Sequence, residues 1–161
     1  MKHKLAVTVE NNPGVLSRVS GLFSRRGYNI DSLVVSDTED PTVSRMTIVV
    51  HGDEVTIEQV TKQLHKLVSV FRISDLTEED AVERELVLFK VQASPERRHE
   101  VIEIANVFRA KVVDVGKNTL TIEATGVASK LDAMENLFRA YGIKEITRTG
   151  KIAMSRNSKE V

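Results

Sequence analysis

The sequence predicts an α+β protein built from two tandem β-α-β-β-α-β units. Three observations carry this reading. Segments of period-two and period-3.6 hydrophobicity follow one another in the same order twice. A polar, acidic stretch, Thr77 to Val82, separates the two runs. The length, 161 residues, suits one or two small domains.

Lys2 to Glu10 alternates like a strand, with Leu5, Val7 and Val9 on one face. Asn11-Asn12-Pro13-Gly14 breaks it, because Asn and Gly tolerate a left-handed backbone and Pro needs no donor. Val15 to Arg26 has helical spacing, with Val15, Leu16, Val19, Leu22 and Phe23 in one stripe. Gly27 falls where a helix-terminating glycine belongs. Tyr28 to Asp37 is a second strand and Thr42 to Gly52 a third, joined by the turn Asp37–Pro41. Asp53 is placed to cap a helix running to about Val68, and Val70 to Leu76 is the fourth strand.

The second unit repeats the topology without repeating the sequence. Arg84 to Gln92 is a strand, with Val87, Phe89 and Val91 on one face. Pro95 suits the first turn of a helix running to about Arg109. Its apolar stripe is Val101, Ile104, Ala105 and Phe108. Lys111–Val115 and Leu120–Ala124 form a hairpin, Ala128–Tyr141 a helix, and Ile143–Thr149 the last main strand. Ile152 to Met154 adds a short strand before a charged tail expected to fray. The order in each half is ferredoxin-like. The expected partition is 1–76, a linker 77–82, and 83–161. Halves of roughly 80 residues bury little core alone, so docking or a homodimer is expected.

Composition narrows function. Lys plus Arg and Asp plus Glu are 23 each, giving a net charge of +0. No global field steers such a chain onto nucleic acid or an anionic membrane. Cysteine is absent, which excludes disulfides, thiol nucleophiles and Cys-ligated metals. Aromatics are 4%, too few for stacking platforms. The amino terminus reads as a strand rather than a leader, and a cytoplasmic protein is expected. His3, His51, His65 and His99 form no paired ligand motif and read as lone surface histidines. No nucleophile elbow, phosphate loop or dinucleotide fingerprint occurs.

One junction stands out. Asn11-Asn12-Pro13-Gly14-Val15-Leu16 joins a strand to a helix whose first N–H groups have no internal partners. A carboxylate can bind there without a cation. Gly14 allows close approach, the Asn side chains offer amides, and Val15 and Leu16 offer an apolar wall. Together these suit a small aliphatic zwitterion. The same residues also fit an ordinary turn in which Asn12 only caps the helix. A second candidate is Asn29 and Asp31 flanking Ile30, placed to receive an ammonium group or to fix a loop; the same residues also fit an ordinary solvated strand start.

The run VENNPGVLSRVSGLFSRRGYNIDSL, followed by DPTVSRMTIVV, resembles the small, regulatory subunit of acetohydroxyacid (acetolactate) synthase. Its first domain resembles an ACT domain, an amino-acid-sensing module. EQVTKQLHKLVSVFRISDL, VERELVLFKVQAS, VIEIANVFRAKVVDV and ATGVASKLDAMENLF extend the likeness over nearly the whole chain. The resemblance implies a chain with no catalytic site, one that binds and activates a thiamine-diphosphate-dependent large subunit. It implies feedback inhibition by valine in branched-chain amino-acid synthesis. Thiamine diphosphate, FAD and magnesium would belong to the large subunit. The effector would sit between two ACT domains of a dimer. Asn11, Pro13, Gly14, Val15 and Leu16 would hold one end, and Asn29 and Ile30 of the other subunit would close the site. An amino-acid sensor acting on a different protein is the alternative.

Overall fold

The computed structural model describes residues 1–156. They divide into two compact units, Met1–Val82 joined by the segment from Lys151, and Glu83–Gly150. Each unit has the β-α-β-β-α-β order.

The first unit comprises β1 (Lys2–Glu10), α1 (Val15–Arg25), β2 (Ile30–Asp37), β3 (Val43–His51), α2 (Glu54–His65) and β4 (Val70–Asp75). Its antiparallel sheet has the order β2-β3-β1-β4. Alternation on β1 and β3 aims Leu5, Val7, Val9, Met46, Ile48 and Val50 at the helices. There they meet Val15, Val19 and Phe23 of α1, and Ile57, Val60 and Leu64 of α2, in one core.

Helix α1 ends as its glycine requires. Gly27 is left-handed, φ 73°. Its N–H donates to Ser24 O at 3.1 Å, and the Tyr28 N–H donates to Phe23 O at 2.9 Å. This pair of bonds closes the last turn and returns the chain toward the sheet. Asp53 caps α2, its carboxylate accepting from the Thr56 N–H at 2.7 Å. Helix α2 stops at His65, short of the expected Val68. Lys66 N donates to Gln63 O and Leu67 N to Leu64 O, tightening the final turn.

The second unit comprises β5 (Ala81–Gln92), α3 (Arg98–Val107), β6 (Lys111–Val115), β7 (Thr119–Gly126), α4 (Ala128–Arg139) and β8 (Ile143–Arg148). Its strands run in the order β6-β7-β5-β8. Val87, Phe89 and Val91 share a core with Val101, Ala105, Leu120, Ile122, Leu131, Met134 and Phe138. Phe89 and Phe138 meet edge to face, with centroids 5.3 Å apart. Helix α3 starts later than Pro95: Ser94 O accepts from the N–H groups of Arg97 and Arg98, so residues 95–97 form a turn.

The boundaries differ from the expected partition in two places. Ala81 and Val82, expected in a linker, open β5. The segment from Lys151, expected with the second domain, packs on the first. Arg45 Nη2 donates to Ala153 O at 2.8 Å, and Lys151 N donates to Ser32 Oγ at 3.1 Å. Ala153, on β9 (Ile152–Ser155), is buried with Ala6 and Leu76. The physical reason is the helix-free face of the first sheet, whose apolar positions need cover. The tail expected to fray, residues 157–161, lies outside the described residues.

Candidate functional site

The junction after β1 is held by backbone and side-chain bonds. Asn11 N donates to Thr42 O at 2.8 Å, and Asn12 N donates to Glu10 O at 3.0 Å. Asn11 Nδ2 donates to Pro41 O at 3.0 Å and to Asp37 Oδ1 at 3.3 Å. Both amide donations from the Asn11 side chain therefore go to the β2–β3 turn and fix the loop. Pro13 is exposed beside it.

Gly14 adopts φ 86°, ψ −9° at the helix start, and its carbonyl accepts from Arg18 N at 3.0 Å. A Cβ built there meets nothing within 4 Å. The demand for glycine is thus conformational, and space outside the junction is open. No side chain caps α1, and its first turn holds no acidic residue. Asn12 does not act as the side-chain cap: its carbonyl, not its amide, meets Val15 N at 3.4 Å. Helix α2, by contrast, has both Asp53 and Glu54 at its start. The first turn of α1 thus keeps the positive end of the dipole with no acidic side chain of its own.

Val15 and Leu16 separate. Val15, expected in the wall of a pocket, is 3% exposed and packs in the core. Leu16 is 45% exposed, so it alone of the pair presents an apolar side chain at the junction. The cause is the helical turn of about 100° per residue, which sends neighbours to different faces.

The second half of the candidate site lies beyond α1. Asn29 is exposed, and Ile30 is half-buried against the core. Asn29 Nδ2 donates to Asp31 Oδ1 at 3.3 Å. Asp31 Oδ2 lies 2.8 Å from His51 Nδ1 and 3.6 Å from Lys2 Nζ. Burial pushes the Asp31 carboxyl up, but the His51 hydrogen bond and the charges of His51 and Lys2 outweigh it and hold the group below the ordinary aspartate value.

The cluster of Asp31, His51 and Lys2 was not visible in the sequence, where His51 reads as a lone histidine. A bulge in the β2–β3 ladder between Ile30 and Ser32 brings Asp31 to His51. Strand alternation alone does not reveal such a bulge.

Within one chain the two halves do not meet. Glu10 pairs with Val43 at one end of the sheet, whereas Lys2 pairs with His51 and Ile30 with Val50 at the other. The 11 residues of α1 lie between Gly14 and Asn29, a rise of about 16 Å. Asn11, Pro13, Gly14 and Leu16 thus gather at one end, and Asn29 and Ile30 at the opposite end. Among the described residues no group of His, Asp and Glu is arranged to hold a metal ion. No helix among them is long and apolar enough to cross a membrane.

Comparison with known proteins places these features in a family. The family profile described as AHAS small subunit-like ACT domain matches residues 5–72. That described as small subunit of acetolactate synthase matches residues 84–157. A probable acetolactate synthase small subunit of Archaeoglobus fulgidus is 55% identical, over 99% of this chain and 100% of that protein. An acetolactate synthase small subunit of Mycolicibacterium smegmatis is 51% identical, over 99% of this chain and 94% of that protein. The crystal structure of the acetolactate synthase small subunit from Thermotoga maritima superimposes with a TM-score of 0.89 at 42% identity, covering 98% of each chain. Two tandem units, the first matching an ACT domain, and full-length identity at this level lead to one assignment: the chain belongs to the acetolactate synthase small-subunit family.

Proposed function

We propose that this chain is the non-catalytic regulatory subunit of an acetolactate synthase. It binds and activates the thiamine-diphosphate-dependent large subunit and confers feedback inhibition by a branched-chain amino acid, valine first. FAD and magnesium, like thiamine diphosphate, belong to the large subunit in this reading, and the complex works in the cytoplasm.

The observation that carries the effector role is the start of α1. A left-handed Gly14 opens onto uncapped helical amides beside the exposed Leu16. That arrangement suits a carboxylate with an aliphatic side chain. Asn29 and Ile30 complete the site from a second copy in a homodimer. Their place at the far end of α1 favours this over closure within one chain.

Valine acts in this reading by linkage. It must bind one arrangement of the dimer, or of the dimer on the large subunit, better than another. A tenfold bias needs about 1.4 kcal/mol of differential binding. A few hydrogen bonds at a helix end are enough for that. An apolar contact separates one methylene by about 1–3 kcal/mol, so leucine and isoleucine bind as weaker effectors.

The test is acetolactate production by the large subunit, with and without this chain, across a valine titration. A higher rate with the chain, suppressed by valine, is expected. No change in rate would reject the subunit role and leave a sensor of another target. A higher rate without valine sensitivity would reject the effector.

A further inference from the structure

We infer that Asp31 is a positioning residue for the effector: by taking the Asn29 amide N–H, it turns Asn29 Oδ1 outward as acceptor for the effector's ammonium group. This rests on the effector-binding reading above.

The argument starts from what each group can do. An ionised carboxylate only accepts, and a primary amide both donates and accepts. With Asp31 Oδ1 at 3.3 Å from the Asn29 amide, the amide must present nitrogen to Asp31. The amide is planar, so its oxygen faces the other way. Among the described residues no donor reaches that oxygen. Asp31 is itself engaged on both sides. Its Oδ1 takes Asn29, and its Oδ2 takes His51 at 2.8 Å and stands 3.6 Å from Lys2. An aspartate carboxyl is ionised at neutral pH, and the surroundings here hold it lower still, so Asp31 remains an acceptor.

The consequence is selectivity. A fixed carbonyl-type acceptor gives more to a charged ammonium, whose hydrogen bond is charge-assisted, than to a neutral hydroxyl, whose O–H donates more weakly to the same oxygen. Asp31, with its oxygens already taken by Asn29 and His51 and with Lys2 beside it, is not placed for a direct ion pair with the ligand. The site therefore takes α-amino acids in preference to the corresponding 2-hydroxy acids. Asp31 sets that preference without touching the ligand.

The experiment is calorimetry on the full chain with L-valine and with its 2-hydroxy analogue. The wild type is expected to prefer valine. In Asp31→Ala the Asn29 amide is free to rotate, and the preference should fall about tenfold, the worth of one hydrogen bond to a charged group. Affinity for the hydroxy analogue should fall by less, because its neutral O–H makes a weaker bond to the same acceptor. Asp31→Asn can still accept from Asn29, and should restore most of the preference. Equal weakening of both ligands in Asp31→Ala would mark a merely structural role and overturn the inference. So would an unchanged preference. Asp31→Asn behaving like Asp31→Ala would mean that the charge meets the ligand directly, which also overturns it. A wild type that binds no amino acid would instead reject the effector reading itself.

Discussion

Gly14 and Asn29 bracket one helix from opposite ends, Gly14 in the left-handed turn that starts α1 and Asn29 just beyond the turn that closes it. A ligand contacting both must therefore meet them on different chains. In a twofold dimer each chain lends its junction to one site and its strand start to the other. Mixed dimers test this. Dimers pairing a Gly14→Asp chain with an Asn29→Ala chain collect both lesions in one site and leave the other intact. Valine binding at half the wild-type stoichiometry is expected for the mixed dimer, and none at the same concentration for the Gly14→Asp parent. A mixed dimer as deficient as that parent would place the whole site within one chain.

Gly14 itself separates charge from strain. A non-glycine residue at φ 86° costs about 1–3 kcal/mol, least for Asn and Asp. Gly14→Asn and Gly14→Asp impose nearly the same shape on open space. Only the second puts a carboxylate where the proposed effector's carboxylate would lie. Valine inhibition is expected to be lost in Gly14→Asp and largely kept in Gly14→Asn, with activation of the large subunit kept in both. Dose-response curves for acetolactate formation read the difference.

The contrast between Val15 and Leu16 shows where sequence reasoning reached and where it stopped. Strand alternation and helical stripes place Leu5, Val7, Phe23 and Phe89 inside, because burial follows period. Gly27 was recognisable as a terminator because few residues but glycine take that backbone. The same logic located the Asn11–Leu16 junction. It could not say which of two adjacent apolar residues turns outward, since both lie near the edge of the stripe. The Asp31–His51 pair needed a bulge that no local propensity encodes. The path of β9 over the first unit is a tertiary choice made by an uncovered sheet face, not by residues 151–156 alone.

The edge-to-face pair in the second unit offers a stability test. Phe138 is fully buried and stands 5.3 Å from Phe89. Truncation leaves a cavity bounded by Leu131, Met134 and the sheet, and Phe138→Ala should cost the second unit about 3–5 kcal/mol. Because the cores of the two units are separate, amide exchange should speed up through β5, β7 and α4. The β1–β3 ladder should keep its protection. Uniform acceleration in both units would show that they unfold as one.

The Asp31 cluster predicts an acid limb in stability. A carboxyl held below its ordinary value, 3.8 for aspartate, binds its proton more weakly in the folded chain than in the unfolded one. The unfolded state therefore takes up protons first as pH falls. The sign follows: the stabilisation is present in full above the unfolded value and is lost as pH drops through the folded one. Asp40 and Asp53 are held low in the same direction, each chiefly by hydrogen bonds from a threonine, Thr42 and Thr56. The denaturation midpoint of the wild type should thus decline below about pH 4. Asp31→Asn removes one titrating group and should make that decline shallower, while lowering the plateau at neutral pH, where the charged interactions with Lys2 and the hydrogen bond with His51 are weakened. The difference between the two curves should narrow steadily toward low pH. A constant offset at every pH would mean that Asp31 contributes by shape and hydrogen bonding alone, and not by its charge.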